Sequence, residues 1–315
     1  MSGEAWVTAG LGPGGLAGFE VVASGALTLL QDAGRPGYAH LGVTTSGAAD
    51  RGAYAAANRL VGNRPGAACL EVTFGGLRMR ALRTAFVAVT GAPATVLVHR
   101  ARASAAPFES PSGYAFTLFA GDVMEVAAPT EGLRNYLAVR GGFAAEPVLG
   151  SRSADVLSGL GPAPLEAGDI LSVSVEAADW PPDAFIPPLL PNAGPVRLRL
   201  TRGPRDDWFG DRGWRALLDS LWTVSADSNR VGVRVSPSEG GVGLRRAPGY
   251  DGELPSEGMV AGAVQVPPSG HPVLFLRDHP VTGGYPVIGV LTEAAVDRAA
   301  QLRPGDDVRF IETRR

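Results

Sequence analysis

Glycine and proline break this chain into short pieces. With 43 glycines and 26 prolines in 315 residues, most uninterrupted apolar runs are only as long as a strand. Residues 86–90, 95–98, 136–139, 170–175, 196–200 and 272–276 are such runs, rich in Val, Leu, Ile and Phe and bounded by turn residues. Three segments carry helical spacing instead. Residues 48–61 place Tyr54, Ala57, Leu60 and Val61 near one face; 212–221 carry Leu217, Leu218 and Leu221; a third starts at a Thr292 cap and ends before Pro304. Many short strands with few helices predict a mainly β fold of two β-barrel-like domains and a few short helices.

Residues 1–18 are Gly- and Ala-rich and read as a flexible N-terminal extension. Prolines 181, 182, 187, 188, 191 and 195 crowd residues 177–195, which neither a sheet interior nor a helix accommodates. That segment reads as a linker dividing a first domain, 19–176, from a second, 196–315. The halves echo one another. Leu165, Glu166, Ala167, Gly168 and Asp169 close the first before an apolar run, as Leu302, Arg303, Pro304, Gly305 and Asp306 close the second. Residues 46–51 and 225–230 also share a character.

A net charge of −3, 45% hydrophobic and 19% charged residues fit a globular protein and give no basic excess for nucleic acid. Every basic side chain is arginine. Without lysine there is no Schiff base, no P-loop lysine and no biotinyl-lysine, so any biotin arrives on another polypeptide. Cys69 is the single cysteine; its apolar neighbours read as a buried small residue, and a reducing cytoplasm is the expected compartment. The start of the chain has no charged n-region, and no apolar run is long enough to span a bilayer.

Common site motifs fail on their context. Gly10, Gly12 and Gly15 have dinucleotide spacing, but Pro13 interrupts them and no strand precedes them. His40, His99, His271 and His279 show no paired metal spacing, and there is no Gly-x-Ser-x-Gly elbow. The strongest local candidate is the segment 278–286, which follows an apolar strand. Thr282, Gly283 and Gly284 allow backbone N–H groups to approach a carboxylate, carbonyl or phosphate oxygen. Asp278 fits a base or an amide-orienting group, and Tyr285 fits a hydrogen-bond donor or stacking ring. The same residues also fit a β-turn capped by Asp with Tyr in the core. Glu257 and Gln265 flank a tight connection; Gln offers donor and acceptor to an amide or ureido group and Glu accepts an N–H, while both equally suit edge-strand turns. Arg140, Arg152 and Arg230 sit beside Gly or Ser, where a guanidinium fork suits a carboxylate, although ion pairs are the commoner use of arginine.

A more specific pattern runs through the whole chain. Gln31, Asp32, Gly34, Arg35, Pro36 and Gly37 form a turn block. Ser46, Gly47, Asp50 and Arg51 follow, with Ser46 placed to cap a helix whose first turn carries Asp50, and Gly62 with Asn63 placed to end it. Further blocks come in order at 134–142, 150–155, 203–207, 254–258, 262–268 and 278–286. This ordered set resembles the allophanate hydrolase subunit 2 family, also called biotin-dependent carboxyltransferase-like, over residues 19–310. The resemblance implies tandem cyclophilin-like barrels. It implies the C-type component of an ATP-dependent 5-oxoprolinase, which opens a lactam or amide substrate. Its partners would be a smaller cyclophilin-like B-type component, similar to allophanate hydrolase subunit 1, and a separate A-type component. ATP would be co-substrate of the complex, at a site the sequence does not identify. Two other functions are open: a carboxyltransferase subunit for urea or another amide, and a non-catalytic antagonist of a kinase inhibitor.

The resemblance selects the site reading for 278–286, with Asp278, Tyr285 and Glu257 as catalytic candidates. Gln265, Thr282, Gly283, Gly284, Arg230, Arg140 and Arg152 are the substrate-binding candidates. Two positions depart from the family's pattern: Pro280 stands where a polar residue is frequent, and Asn229 stands where a Ser-Asp-Arg block carries a carboxylate. Asp50, Arg51, Asn58 and Glu71 read as structural.

Overall fold

A computed structural model describes residues 15–101, 106–181, 183, 185–188, 194–238 and 241–313. Its elements are strands with three α-helices, Arg51–Leu60 (α1), Gly210–Asp219 (α2) and Glu293–Ala299 (α3), among the described residues. None of these helices is long and apolar enough to cross a membrane. The chain forms two units, one of Met1–Arg35 and Ser46–Leu190, the other of Pro36–Thr45 and Pro191–Arg315.

The first unit contains two antiparallel sheets. The larger runs Phe143–Ala144, Ile170–Val173, Leu16–Ser24, Leu77–Ala81, Val123–Val126, Thr95–His99, Phe108–Pro111; the smaller runs Leu27–Gln31, Cys69–Thr73, Arg134–Val139, Ala85–Gly91, Ala115–Leu118. Leu77–Ala81 alternates buried Leu77, Met79 and Ala81 with exposed Arg78 and Arg80, as a sheet with one wet face requires. Arg134–Val139 is buried throughout. Leu137 and Val139 join the main core with Phe19, Leu70 and Met79, while Tyr136 and Ala138 pack against Tyr54, Ala57 and Leu60 of α1. Helix α1 therefore covers the outer face of the smaller sheet.

The cap of α1 differs from expectation. Asp50, not Ser46, is the N-cap, accepting from the Ala53 N–H at 2.9 Å. Ser46 has a positive φ of 51° and turns its hydroxyl to the Ala154 carbonyl. Glu71 takes the Ala49 N–H and the Tyr136 hydroxyl takes the Asp50 N–H, so the chain is anchored one turn later than spacing implies.

Two boundaries also move. Strand Leu16–Ser24 begins inside the expected extension, of which residues 1–14 lie outside the described residues. The Pro-rich segment, described at 177–181, 183 and 185–188, is a strap on the first unit and not a free spacer. Ala177 bridges to Asn63, Trp180 lies under the Arg140 guanidinium at 4.7 Å, and Phe185 stacks on Tyr114 at 4.4 Å. Proline removes donors, but the carbonyls and aromatic rings between prolines stay available for contact.

In the second unit seven strands close a barrel in the order Val196–Arg202, Val287–Leu291, Ala263–Gln265, Val273–Phe275, Gly232–Pro237, Trp222–Val224, Asp307–Glu312. Parallel pairing of the first with the last completes it and removes the free edges. Thr292 caps α3 as expected.

The echo between the halves has a structural basis. Glu166 N–H donates to the Asp169 carboxylate and Arg303 N–H to that of Asp306, each at 2.8 Å. Gly168 and Gly305 take positive φ of 96° and 90°, and their N–H groups bond Val21 and Val224 carbonyls. The structure adds a third copy, in which Phe119 N–H donates to Asp122 and Gly121, at φ 88°, bonds Ala81. In each, the positive φ selects glycine and the following Asp closes the turn just before a strand.

Candidate functional site

Between strands Val273–Phe275 and Val287–Leu291 the chain leaves the barrel wall as the loop 276–286. Part of it, Thr282–Gly283, forms a two-stranded ladder with Glu257–Gly258, pairing Glu257 with Gly283 and Gly258 with Thr282. Gln265, at the end of strand Ala263–Gln265, donates from Nε2 to the Tyr285 carbonyl at 3.1 Å. A Cβ on Gly283 would lie 2.6 Å from that Nε2 and 3.3 Å from the Met259 sulfur. A methyl here would have to displace the Gln265 amide, so the constraint is one of room and not of a left-handed backbone. The fold thus gathers Glu257, Gln265, Thr282, Gly283 and Tyr285, as the sequence expectation needs.

Thr282 and Tyr285 face solvent, Tyr285 being 44% exposed. Gln265 is buried, and its Oε1 has no hydrogen-bond partner among the described residues. The cluster can offer an amide acceptor, two hydroxyl donors and close backbone approach to a small neutral amide.

Asp278 does not fit an accessible base. It is 0% exposed and Arg230 is 2% exposed. They form a two-point ion pair, Nε to Oδ2 at 2.9 Å and Nη2 to Oδ1 at 3.2 Å, and the Asp278 N–H also donates to the Arg230 carbonyl. This pair fastens the start of the site loop to the segment before strand Gly232–Pro237. Both residues are engaged with each other, so the arrangement supports a positioning role for the pair and does not present Asp278 as an accessible base.

Glu257 is likewise taken, by an arginine to which the sequence alone assigns no role. Arg205 grips it from Nε, at 2.8 Å to Oε1 and 3.0 Å to Oε2, and again through Nη2. The hydrogen bonds from Arg205 hold the Glu257 carboxyl below its ordinary pKa, and those to Glu257 raise that of Arg205. Glu257 therefore stays ionised near neutrality, and its carboxylate, a catalytic candidate from the sequence, is here engaged in anchoring the short ladder. The available signal was the position of Arg205 inside the 203–207 block.

The two departures from the family's pattern are absorbed locally. Asn229 Oδ1 accepts the N–H groups of Val231 and Gly232 at 2.8 and 3.2 Å, a backbone turn that amide and carboxylate both serve. The Pro280 carbonyl pairs with His279 Nδ1 at 2.9 Å, and Thr44, from the excursion Pro36–Thr45, bonds the Arg277 carbonyl at 3.3 Å. Thr44 and His279 had no assigned role in the sequence, because that contact joins residues far apart in the chain.

Arg140 and Arg152 belong to the first unit. Arg140 Nη1 donates to the Val61 and Asp179 carbonyls, tying the end of α1 to the proline strap, a scaffold use of this substrate-binding candidate. Arg152, the other candidate in this unit, is used in a similar way: its Nε donates to the Ala145 carbonyl at 3.0 Å, and its backbone N–H reaches Asp32. Asp32 is the hub of the two most diagnostic blocks. Its carboxylate accepts from Gly34 N–H, the hydroxyls of Ser151 and Ser153, and Arg152 N–H, at 2.6 to 2.8 Å. Glu71 holds the neighbouring helix start, accepting from Ala49 N–H and the Tyr136 hydroxyl and pairing with Arg134. Burial pushes the Tyr136 hydroxyl pKa well up, so it remains a donor. Asp50 and Glu71 are scaffold, as expected from the sequence.

Comparison with known proteins agrees with this architecture. The family described as the carboxyltransferase domain, subdomain A and B, matches residues 41–312. The 5-oxoprolinase C subunit of Escherichia coli K12 is 33% identical over 296 residues, covering 93% of this chain and 90% of that protein. The crystal structure of TTHA0988 superposes with a TM-score of 0.80 at 34% identity, over 94% of this chain and 55% of that one. The Kluyveromyces lactis urea carboxylase superposes with a TM-score of 0.80 at 29% identity, over 95% of this chain and 27% of that one. The chain thus spans about half of the first of these structures and about a quarter of the second.

Proposed function

The chain belongs to the carboxyltransferase domain family, subdomains A and B, and we propose that it is the C-type component of an ATP-dependent 5-oxoprolinase, assembled with partner subunits. The observation carrying this reading is the near full-length similarity to a 5-oxoprolinase C subunit, 93% of this chain against 90% of that protein. The reaction adds one water across the lactam C–N bond of 5-oxo-L-proline to give L-glutamate, driven by hydrolysis of ATP to ADP and phosphate.

In this reading the loop at Gly283 receives the lactam. Gln265 Oε1 accepts the ring N–H while its Nε2 stays on the Tyr285 carbonyl. The Thr282 and Tyr285 hydroxyls donate to the lactam oxygen, where negative charge develops as the carbonyl is attacked. Gly283 and Gly284 let the ring approach the backbone. Asp278 with Arg230, and Glu257 with Arg205, hold the two sides of the loop. Both of these guanidinium groups are engaged by carboxylates, so neither offers a triphosphate its fork. ATP enters as co-substrate of the complex formed with a smaller B-type component and an A-type component.

Co-expression with both partners, followed by glutamate release from 5-oxoproline with and without ATP, tests the reading. ATP-dependent turnover that falls at least about tenfold in Gln265→Leu is expected. An assembled complex without turnover overturns it.

The superposition on a urea carboxylase favours a second reading, transfer of a carboxyl group from carboxybiotin to urea or a related amide. The chain has no lysine to carry biotin, so this reading requires a separate carrier. Urea-dependent ADP release with a biotin carboxylase and its carrier, and none with 5-oxoproline, would select it.

A further inference from the structure

A cavity of about 470 Å³ opens on the second unit, and none of the residues assigned to the lactam lines it. Phe209, Leu244, Pro267 and Pro268 give it apolar walls; Arg245, Arg246 and Asp251 supply its charge. Its size falls within the range of small-molecule sites.

The segment carrying the two arginines is firmly fastened. Leu244 N–H donates to the Gly270 carbonyl at 2.9 Å and Ala247 N–H to that of Trp208 at 2.7 Å. Tyr250 packs on Trp208 at 5.3 Å and reaches the Asp207 carboxylate through its hydroxyl. The Arg246 guanidinium lies over the Trp208 ring at 4.9 Å, and its Nη1 donates to the Gly252 and Tyr250 carbonyls. One nitrogen and one face of the group are thereby used. Nε and Nη2, the edge that makes parallel bonds to a carboxylate, have no partner among the described residues. Arg245 is exposed on the same cavity with no ion pair among the described residues. A guanidinium held in place by a ring and two carbonyls loses little freedom on binding, which is the condition for selective anion capture.

We propose that this cavity binds a small organic acid with a compact apolar body, its carboxylate on the Nε–Nη2 edge of Arg246 and its body against Phe209, Leu244 and the two prolines. Arg245 adds long-range attraction. Asp251 opposes an anion, and so disfavours dianions. The inference is independent of the lactam reading, since binding here requires neither ATP nor a partner protein.

Calorimetric titration of the full chain with cyclopentanecarboxylate, and with cyclopentanecarboxamide as its neutral counterpart, provides the test. The acid is expected to bind saturably, and the carboxamide at least about tenfold more weakly. Arg246→Gln is expected to lose binding by a similar factor, and Asp251→Asn to tighten it severalfold by removing a like charge. Equal affinity for acid and carboxamide overturns the proposal without any variant. So does an Arg246→Gln variant of unchanged melting temperature that binds like the parent, or an absence of saturable heat with the acid.

Discussion

Replacing Asp278 by alanine should damage the second unit far more than replacing both members of its ion pair. Arg230 and Asp278 are 2% and 0% exposed and meet at 2.9 and 3.2 Å. Removing only the carboxylate takes the Asp278 countercharge from a desolvated guanidinium, a change worth about 3–5 kcal/mol at buried pairs. Replacing both by apolar side chains, as in Arg230→Met with Asp278→Leu, removes the penalty with the pair and should cost no more than about 1–2 kcal/mol. A double-mutant cycle whose single variants are Asp278→Leu and Arg230→Met, each leaving one buried charge behind, should therefore show a coupling of at least about 2 kcal/mol. Urea unfolding followed by tryptophan fluorescence reads it, because three of the five tryptophans, Trp208, Trp214 and Trp222, lie in the second unit, while Trp180 of the first is 77% exposed when folded and Trp6 lies outside the described residues. With a urea slope of about 2 kcal/mol per molar, Asp278→Ala should move the midpoint down by about 2 M and the double variant by less than about 1 M. A single variant within about 1 kcal/mol of the parent, or a double variant as unstable as the single, would refute the argument that charge burial holds this loop.

Three further outcomes follow from the same structure. Gly283→Ala places a methyl 2.6 Å from Gln265 Nε2, so the barrel should melt within a few degrees of the parent while turnover of the assembled complex falls at least about tenfold; full turnover would remove Gln265 from the site. Burial pushes the Asp122 pKa up, but N–H bonds from Phe119 and Ala101 and the Arg100 ion pair at 2.6 Å outweigh it and leave the group below its ordinary 3.8. Its folded pKa being depressed, its stabilisation is complete above the unfolded value and is lost as pH falls through the folded one. Melting from about pH 5 to about pH 2 should thus lose an acid-dependent component in Asp122→Asn, and parallel pH profiles would contradict this assignment. Cys69 is fully buried, and burial pushes its thiol pKa far up; a thiol reagent should label it only as fast as the first unit opens, and rapid labelling of native protein would contradict the packing.

Much of this fold is written locally. The runs at 86–90, 95–98 and 136–139 became strands Ala85–Gly91, Thr95–His99 and Arg134–Val139, because apolar content and turn residues act within a few positions. The Gly-Asp turns were legible for a related reason: the positive φ and the side-chain acceptor both lie within four residues. Helix α1 was legible in extent but not in its cap, since Ser46 and Asp50 are equally good caps in isolation and Glu71 and Tyr136 decide between them from distant strands.

At the site, the order of residues along the chain is enough to show which types cluster: Gln265, Thr282, Gly283 and Tyr285 stand in recognisable blocks and do come together. How the charged residues near them are used depends on the folded barrel. Arg230 and Asp278 are 48 residues apart in the chain, and Arg205 and Glu257 are 52 apart. Each looks like a free acid or anion-binding fork until its partner is known. An ionised side chain taken out of water must be matched by an opposite charge or by aligned dipoles, and barrel closure, which no local pattern encodes, delivers that match.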